Sequence, residues 1–255
     1  GGLAGYISYD YGRRLEPHAK IPDFTPVCPD LILHHYDCVA AFDHMQERAW
    51  IISETPQRAD EMEELLRHRP KVTGGHAIEG WQSNFTREDY EKAITRTVEL
   101  ILAGDIFQAN ITQMYSAPIP PGFDPLGFYR VLRGKNPATF AAYMDYGSIQ
   151  IASSSPERQL RHDGTTVEAR PIKGTRRRDS DPVRDANLIA DLTASRKERA
   201  ENVMIVDLMR NDLGTICQTG SVTVDALCAV ENHPGLAHLV STVSGELKPD
   251  VQWKE

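Results

Sequence analysis

The chemistry this chain could do is concentrated in the stretch Ser153 to Arg178, SSSPERQLRHDGTTVEARPIKGTRRR. It carries a carboxylate, Glu157, and an amine, Lys173, on either side of an Asp163-Gly164 pair. Asp-Gly between two strand-like segments is a hairpin signal, because glycine accepts the positive φ such turns require. A two-residue turn at that pair sets Glu157 opposite Arg170 and Lys173 opposite Ser154, with Pro156 and Pro171 breaking the ladder beside them. Lys173 then has like charges nearby, from Arg170 and from Arg176 to Arg178, which favour the neutral amine. A neutral amine is a nucleophile or a base, and a carboxylic acid next to it can protonate a leaving group. On residue types alone the commoner reading is a surface ion pair with a solvated arginine edge.

A second pair, Glu198 and Glu201, lies three residues apart and so shares one face of a helix. Two hard oxygen donors at that spacing suit Mg²⁺, which binds through carboxylates and keeps several waters. Spacing alone favours the plainer alternative, in which Glu198 caps its helix and Glu201 is solvated. The histidines divide less clearly. His34 and His35 are adjacent in a strand-like run and point to opposite faces, so they do not share a metal. His233 precedes Pro234 in a predicted turn, and His238 follows in a segment rich in strand formers.

The elements that must hold these residues are legible in outline. GGLAGYISYDYGRRLE opens as a glycine-flanked strand, 17–29 is a proline-rich loop, and 31–42 and 49–53 are strands. RADEMEELLRHR at 58–69 reads as a short charged helix, and 70–83 as a linker. Thr86-Arg-Glu-Asp89 starts the strongest helix with a capping-box spacing; Tyr90, Ala93, Ile94, Thr97 and Ile101 supply its buried face and Gly104 its end. The following GDIFQANITQMYSAP alternates like a strand, and 124–133 is again helical. After the hairpin, Asp181-Pro182 starts one helix and Ser195-Arg-Lys-Glu198 caps a second that closes at Gly214.

Bulk properties narrow the function. The 255 residues are 40% hydrophobic and 25% charged, an ordinary globular composition with enough chain for a sizeable core. A net charge of −8 and the lack of a basic stripe argue against nucleic acid as a partner. No apolar run is long enough for a membrane span. The four cysteines form no CxxC pair and read as reduced thiols of a cytoplasmic protein. The chain begins at Gly1 rather than Met, which reads as a fragment or a processed product.

SSSPE with ARPIKGTRRR, and KERAENVMIVDLMRNDLG at 197–214, resemble the paired core motifs of the chorismate-using enzymes. These include anthranilate synthase component I, aminodeoxychorismate synthase component I and the isochorismate and salicylate synthases. The opening glycine-rich strand and VENHPGLAHLVSTVSGEL fit the same pattern, so the resemblance covers nearly the whole chain. It implies an α+β fold, the anthranilate synthase component I-like fold, with two packed antiparallel sheets and outer helices. It further implies that residues 1–255 are part of a single domain, truncated before the family's C-terminal active-site motifs.

Within that resemblance, the third position of the PIxGT motif separates the branches: alanine is usual in anthranilate synthases and lysine in aminodeoxychorismate synthases. Here it is Lys173. The segment NPATFAAYMDYG also departs from the NPSPYMF of anthranilate synthases. The branch implied is therefore aminodeoxychorismate synthase component I, with chorismate and ammonia as substrates, a glutamine amidotransferase subunit as partner and Mg²⁺ as cofactor. In that assignment Lys173 attacks C2 of chorismate and expels the C4 oxygen; ammonia then displaces the lysine at the conjugated partner carbon. Glu157 is the general acid and base, His238 the active-site histidine, Gly174 and Thr175 donors to the substrate, and Glu198 and Glu201 the metal ligands. An anthranilate synthase component I variant is the alternative within the family. A catalytically incomplete segment that only binds a partner or a small acid is the alternative outside it.

Overall fold

The computed structural model describes residues 2–16, 18, 26–68, 77–233 and 235–251. Most of the proline-rich loop at 17–29, half of the linker at 70–83, the proline of the His233-Pro234 turn and the last residues of the chain lie outside them. The chain divides into two compact units, Gly1–Val131 with Met144–Gln150, and Leu132–Tyr143 with Ile151–Glu255.

The first unit is built from short antiparallel pairs and helices. Strand β1 (Gly2–Ile7) leads into a short helix α1 (Gly12–Leu15) and pairs with β2 (Leu31–Tyr36). Gly5 is obligatory there, since a Cβ at that position would fall 1.8 Å from the Ile32 carbonyl oxygen. Strands β3 (Cys38–Asp43) and β4 (Arg48–Ser53) form a second pair, followed by α2 (Pro56–Arg67), whose N-cap Thr55 accepts the Arg58 N–H. After β5 (Gln82–Ser83), α3 (Arg87–Ala103) starts at Thr86, whose hydroxyl accepts from the Asp89 N–H and donates to its carboxylate, and ends at Gly104.

Two expectations change in this unit. The stripe of α3 is only half covered: Tyr90, Ala93 and Thr97 are half-buried, and Ile94 and Ile101 are exposed. The alternating run after Gly104 yields only the short β6 (Tyr115–Ser116), the part that finds a partner in β5. Alternation supplies a face, but a strand also needs an edge to bond with.

Helix α4 (Pro125–Lys135) and the paired strands β7 (Phe140–Asp145) and β8 (Gln150–Ser155) lead to the five-stranded antiparallel sheet of the second unit. It comprises β9 (Arg161–His162), β10 (Thr166–Ala169), β11 (Ile172–Arg177), β12 (Thr223–His233) and β13 (Leu236–Glu246). β13 is the spine. β10 and β11 lie end to end along it, and β12 also pairs with it over most of its length. Pro171, between β10 and β11, has no N–H to give but accepts the Ser241 N–H at 3.1 Å, so the ladder continues across the break.

Helices α5 (Pro182–Ala194) and α6 (Arg196–Ile216) pack on this sheet. Both start at the predicted caps: Asp181 accepts from the Val183 and Arg184 N–H groups, and Ser195 from that of Glu198. α6 runs through Gly214 to Ile216, because no left-handed residue intervenes there to stop it. Its Val206 and Leu213 join Val167, Ala169, Cys217 and Val243 in one buried cluster, and Leu192 of α5 joins Ala237 and Leu239 in another. A buried polar network ties the layers together. The Asn202 amide donates to the Leu239 carbonyl and accepts from the Ser241 hydroxyl, which in turn accepts the Cys228 N–H at 2.9 Å.

The hairpin register differs from the expected one. Val167 pairs with His162 and Glu168 with Arg161, so the turn centres on Gly164-Thr165, one residue later than Asp163-Gly164. Asp163 decides this: its carboxylate accepts the N–H groups of Thr165 and Thr166, which fixes it at the first corner. The ladder then ends at once, because β8 pairs with β7 and β11 with β13. Glu157 therefore does not face Arg170, and Lys173 does not face Ser154. Arg170 is paired with Glu231, and Ser154 bonds to Asn136.

Candidate active site

The site is organised by an irregularity in β11. Ile172 pairs with Val240 and Thr175 with His238, so Lys173 and Gly174 together oppose Leu239 in a β-bulge. Gly174 has φ +89°, and a Cβ there would stand 3.0 Å from Cβ of Glu198 and 3.1 Å from Cδ1 of Leu192. Conformation and space both require glycine at this point. The extra residue resets the alternation of the strand. Lys173 and Arg176, three apart, both reach the helices, whereas in a regular strand they would point to opposite faces.

Lys173 Nζ lies 3.2 Å from Glu201 Oε1, and Arg176 places Nη1 3.6 Å from Glu198 Oε1 and Nε 2.8 Å from Asp191 Oδ2. The like charges expected to act on Lys173 at Arg170, Arg176 and Arg178 are matched by carboxylates. Arg170 is paired with Glu231, Arg176 with Asp191 and Glu198, and Arg178 with Asp185, while Lys173 itself meets a carboxylate. Arg178 draws the Asp185 carboxyl down to about 2 through two hydrogen bonds.

The other predicted residues adjoin the same few positions of β11. The Glu157 carboxylate accepts the Ile172 N–H at 2.9 Å, which brings the acid to the residue before Lys173 by a route other than strand pairing. Thr175 shares its hydroxyl with Nδ1 of His238 at 2.9 Å. Consecutive residues 172 to 175 thus meet Glu157, Glu201, Glu198 and His238 in turn. The Thr175 hydroxyl, expected to serve a substrate, is engaged in orienting the histidine.

His238 is buried and lines a cavity of about 290 Å³ together with Asn136, Thr139, Ser154, Pro156 and His233. Burial lowers its pKa below the ordinary 6.5, His233 adds to the lowering, and the charges of Glu231 and Glu157 oppose it. With Nδ1 taken by Thr175, the imidazole has Nε2 left for a ligand. Sequence reasoning set His233 aside as a turn residue. It is the last residue of β12, its ring centroid 5.4 Å from that of His238. The available signal was its spacing of two from Glu231, which places both on one face of a strand. The wall formed by Asn136 and Thr139 left no signal of its own.

Glu198 and Glu201 are adjacent on one helix turn. Among the described residues, no group of three or more His, Cys, Asp or Glu could hold a metal ion. That donor set fits Mg²⁺, which binds proteins through one or two carboxylates and otherwise keeps its waters, and not the closed ligand shell of structural zinc.

The model of the family described as chorismate binding enzyme matches residues 2–255. The chain belongs to that family. It is 37% identical to anthranilate synthase component 1 of Thermus thermophilus over 97% of its own length and 55% of that protein. It is 36% identical to aminodeoxychorismate synthase component 1 of Escherichia coli, again over 97% of its length and 54% of the relative. The chain thus spans about half the length of the curated relatives it matches. The structure of anthranilate synthase component I from Streptococcus pneumoniae superposes with a TM-score of 0.86 at 29% identity, covering 99% of this chain and 58% of that one. The mixed α and β architecture with antiparallel sheets, expected from the resemblance, is therefore that of anthranilate synthase component I.

Proposed function

We propose that this protein is the chorismate-aminating component of an aminodeoxychorismate synthase, its two units being parts of one catalytic domain. It replaces the C4 hydroxyl of chorismate with an amino group, using ammonia delivered by a glutamine amidotransferase subunit in the cytoplasm. The observation that carries this reading is Lys173: an amine held beside Glu201, one residue after the Ile172 N–H that Glu157 accepts, at the position that distinguishes this branch from the anthranilate synthases.

The chain's own groups account for the steps. The Lys173 side chain, once off Glu201 and having given one ammonium proton to water, forms a bond to C2 as the ring double bonds shift and the C4 oxygen departs as water with a proton from Glu157. Ammonia then bonds at the conjugated carbon, the C2–N bond to Lys173 breaks, and Glu157 takes back the proton that ammonia loses. His238 lines the cavity, and the Thr175 hydroxyl at Nδ1 leaves Nε2 to serve the ligand. Magnesium bound to Glu198 and Glu201 would offset negative charge on the substrate carboxylate. Among the described residues no helix is long and apolar enough to cross a membrane.

The test is to incubate the full-length protein with chorismate, ammonium and MgCl₂ and to separate the products by chromatography. Aminodeoxychorismate is the expected product. Anthranilate would overturn the reading in favour of anthranilate synthase, which the similarity to the Thermus thermophilus and Streptococcus pneumoniae proteins favours.

A further inference from the structure

Lys173 is bound to a carboxylate that the reading above assigns to the metal. Both side chains are largely shielded, 24% and 30% exposed, and their charged atoms are 3.2 Å apart. Arg176 is in a different position: it contacts Glu198 at 3.6 Å but has a closer anchor in Asp191 at 2.8 Å. If Glu198 is claimed by another cation, Arg176 keeps a partner. For Lys173, among the described residues, the ion-pair partner is Glu201.

The frame around these side chains has little room to adjust. Gly174 is pressed against Glu198 and Leu192, so β11 and α6 are in contact at the bulge. What can move is the four-carbon stem of the lysine, a compact ammonium on a flexible tether. A dication and an ammonium on one carboxylate repel each other, and the dication has the neighbouring Glu198 as a second ligand. The lysine has no such support.

We propose that Lys173 and a divalent cation compete for Glu201, so that metal binding frees the Lys173 side chain from its ion pair. This rests on the assignment of Glu198 and Glu201 to the metal. Its consequence is an order of events: without metal the nucleophile is parked in an ion pair, and with metal it is free to enter the site. The bulge residue makes the device possible, because it turns Lys173 toward α6 in the first place.

The test uses the full-length protein and MgCl₂ alone, without substrate. Calorimetry is expected to show that Lys173→Met binds Mg²⁺ about three- to tenfold more tightly than the parent, since a competitor that occupies the site most of the time has been removed. Pulse labelling with an amine-reactive ester, read by mass spectrometry, is expected to show faster modification of Lys173 as Mg²⁺ is added. The midpoint should match calorimetry, and the exposed Lys197 serves as the internal standard. Glu201→Gln should label quickly at Lys173 without metal and bind Mg²⁺ more weakly.

Loss of Mg²⁺ binding in Glu201→Gln, combined with unchanged Lys173 labelling in the parent across the titration, overturns the competition while leaving the metal assignment intact. Unaltered Mg²⁺ binding in both Glu198→Gln and Glu201→Gln overturns the metal assignment and this inference with it. The labelling arm needs no variant, so a misfolded substitution does not remove the test.

Discussion

Thr175 and His238 are direct cross-strand partners in β11 and β13, and the threonine hydroxyl lies 2.9 Å from Nδ1 of the imidazole. The pair joins the two strands at the point where the bulge ends. It also fixes which ring nitrogen is available to the cavity, as a hydrogen bond to one nitrogen commonly sets the role of the other. Thr175→Val keeps the shape and removes the hydroxyl, leaving a buried nitrogen unpaired. We expect a loss of about 1–3 kcal/mol in urea denaturation, a fall in kcat, and recovery of both in Thr175→Ser.

The pKa of His238 gives a pH prediction with a definite sign. Burial, followed by His233, depresses it in the folded state from the ordinary 6.5. The unfolded chain therefore binds a proton at a pH where the folded one does not, and stability rises with pH across that interval. The contribution is fully present above about 6.5 and is lost as the pH falls through the lower, folded-state value. Thermal unfolding measured from pH 7.5 down to 5 should show a decline that is shallower in His238→Gln. Equal slopes in the two proteins would show that the proton is taken up elsewhere.

Gly174→Ala tests the bulge. The new methyl meets Glu198 and Leu192 in a backbone conformation that L-residues seldom adopt. A destabilisation of about 1–3 kcal/mol is expected, and kcat should fall further than Tm implies because Lys173 and Thr175 move with the bulge. A variant with wild-type stability and rate would mean that the strand carries no special geometry.

Lys173→Ala and Glu157→Gln separate nucleophile from acid. With chorismate and ammonium, each should lose about 10²-fold or more in the rate of amination. Intact-mass spectrometry during turnover should detect a covalent chorismate-derived adduct in the parent and none in Lys173→Ala. Full amination by Lys173→Ala would remove the nucleophile assignment.

Ser241→Ala probes the buried polar network beneath the site. It strips a partner from the Asn202 side chain and from the Cys228 N–H, both in the interior of the second unit. Each orphaned group costs about 1–3 kcal/mol. The midpoint of chemical denaturation is the measurement, and a change within 0.5 kcal/mol would show that the network relaxes around the gap.

Much of this was readable before any tertiary structure. The caps at Thr86, Asp181 and Ser195 announce themselves because a short polar side chain satisfies the free N–H groups of the first turn locally. The candidate residues Glu157, Lys173, Gly174, Thr175, Glu198, Glu201 and His238 were legible as motifs, and each lies on β11 or in contact with it. What was not legible is how they meet. Glu157 reaches β11 by accepting a backbone N–H and not by facing it across a hairpin, and the Asp163 turn falls one residue late because its carboxylate chooses the corner. His233 was passed over since its place on the cavity depends on the β12–β13 register, which joins residues by long-range pairing.

The sequence by itself determined where the two helices of the second unit start and where its Asp163 turn falls to within one residue, through capping and turn chemistry, both of them local interactions. It also determined, by the run of residues from Ser153 to Arg178 and from Lys197 to Gly214, the family to which the chain belongs. The tertiary structure decided the electrostatics of the site. Whether Lys173 stands among like charges or against a carboxylate depends on which face of β11 it occupies, and a single inserted residue at Gly174 sets that face. Strand partners and bulges are fixed by packing between distant segments, and no local pattern encodes them.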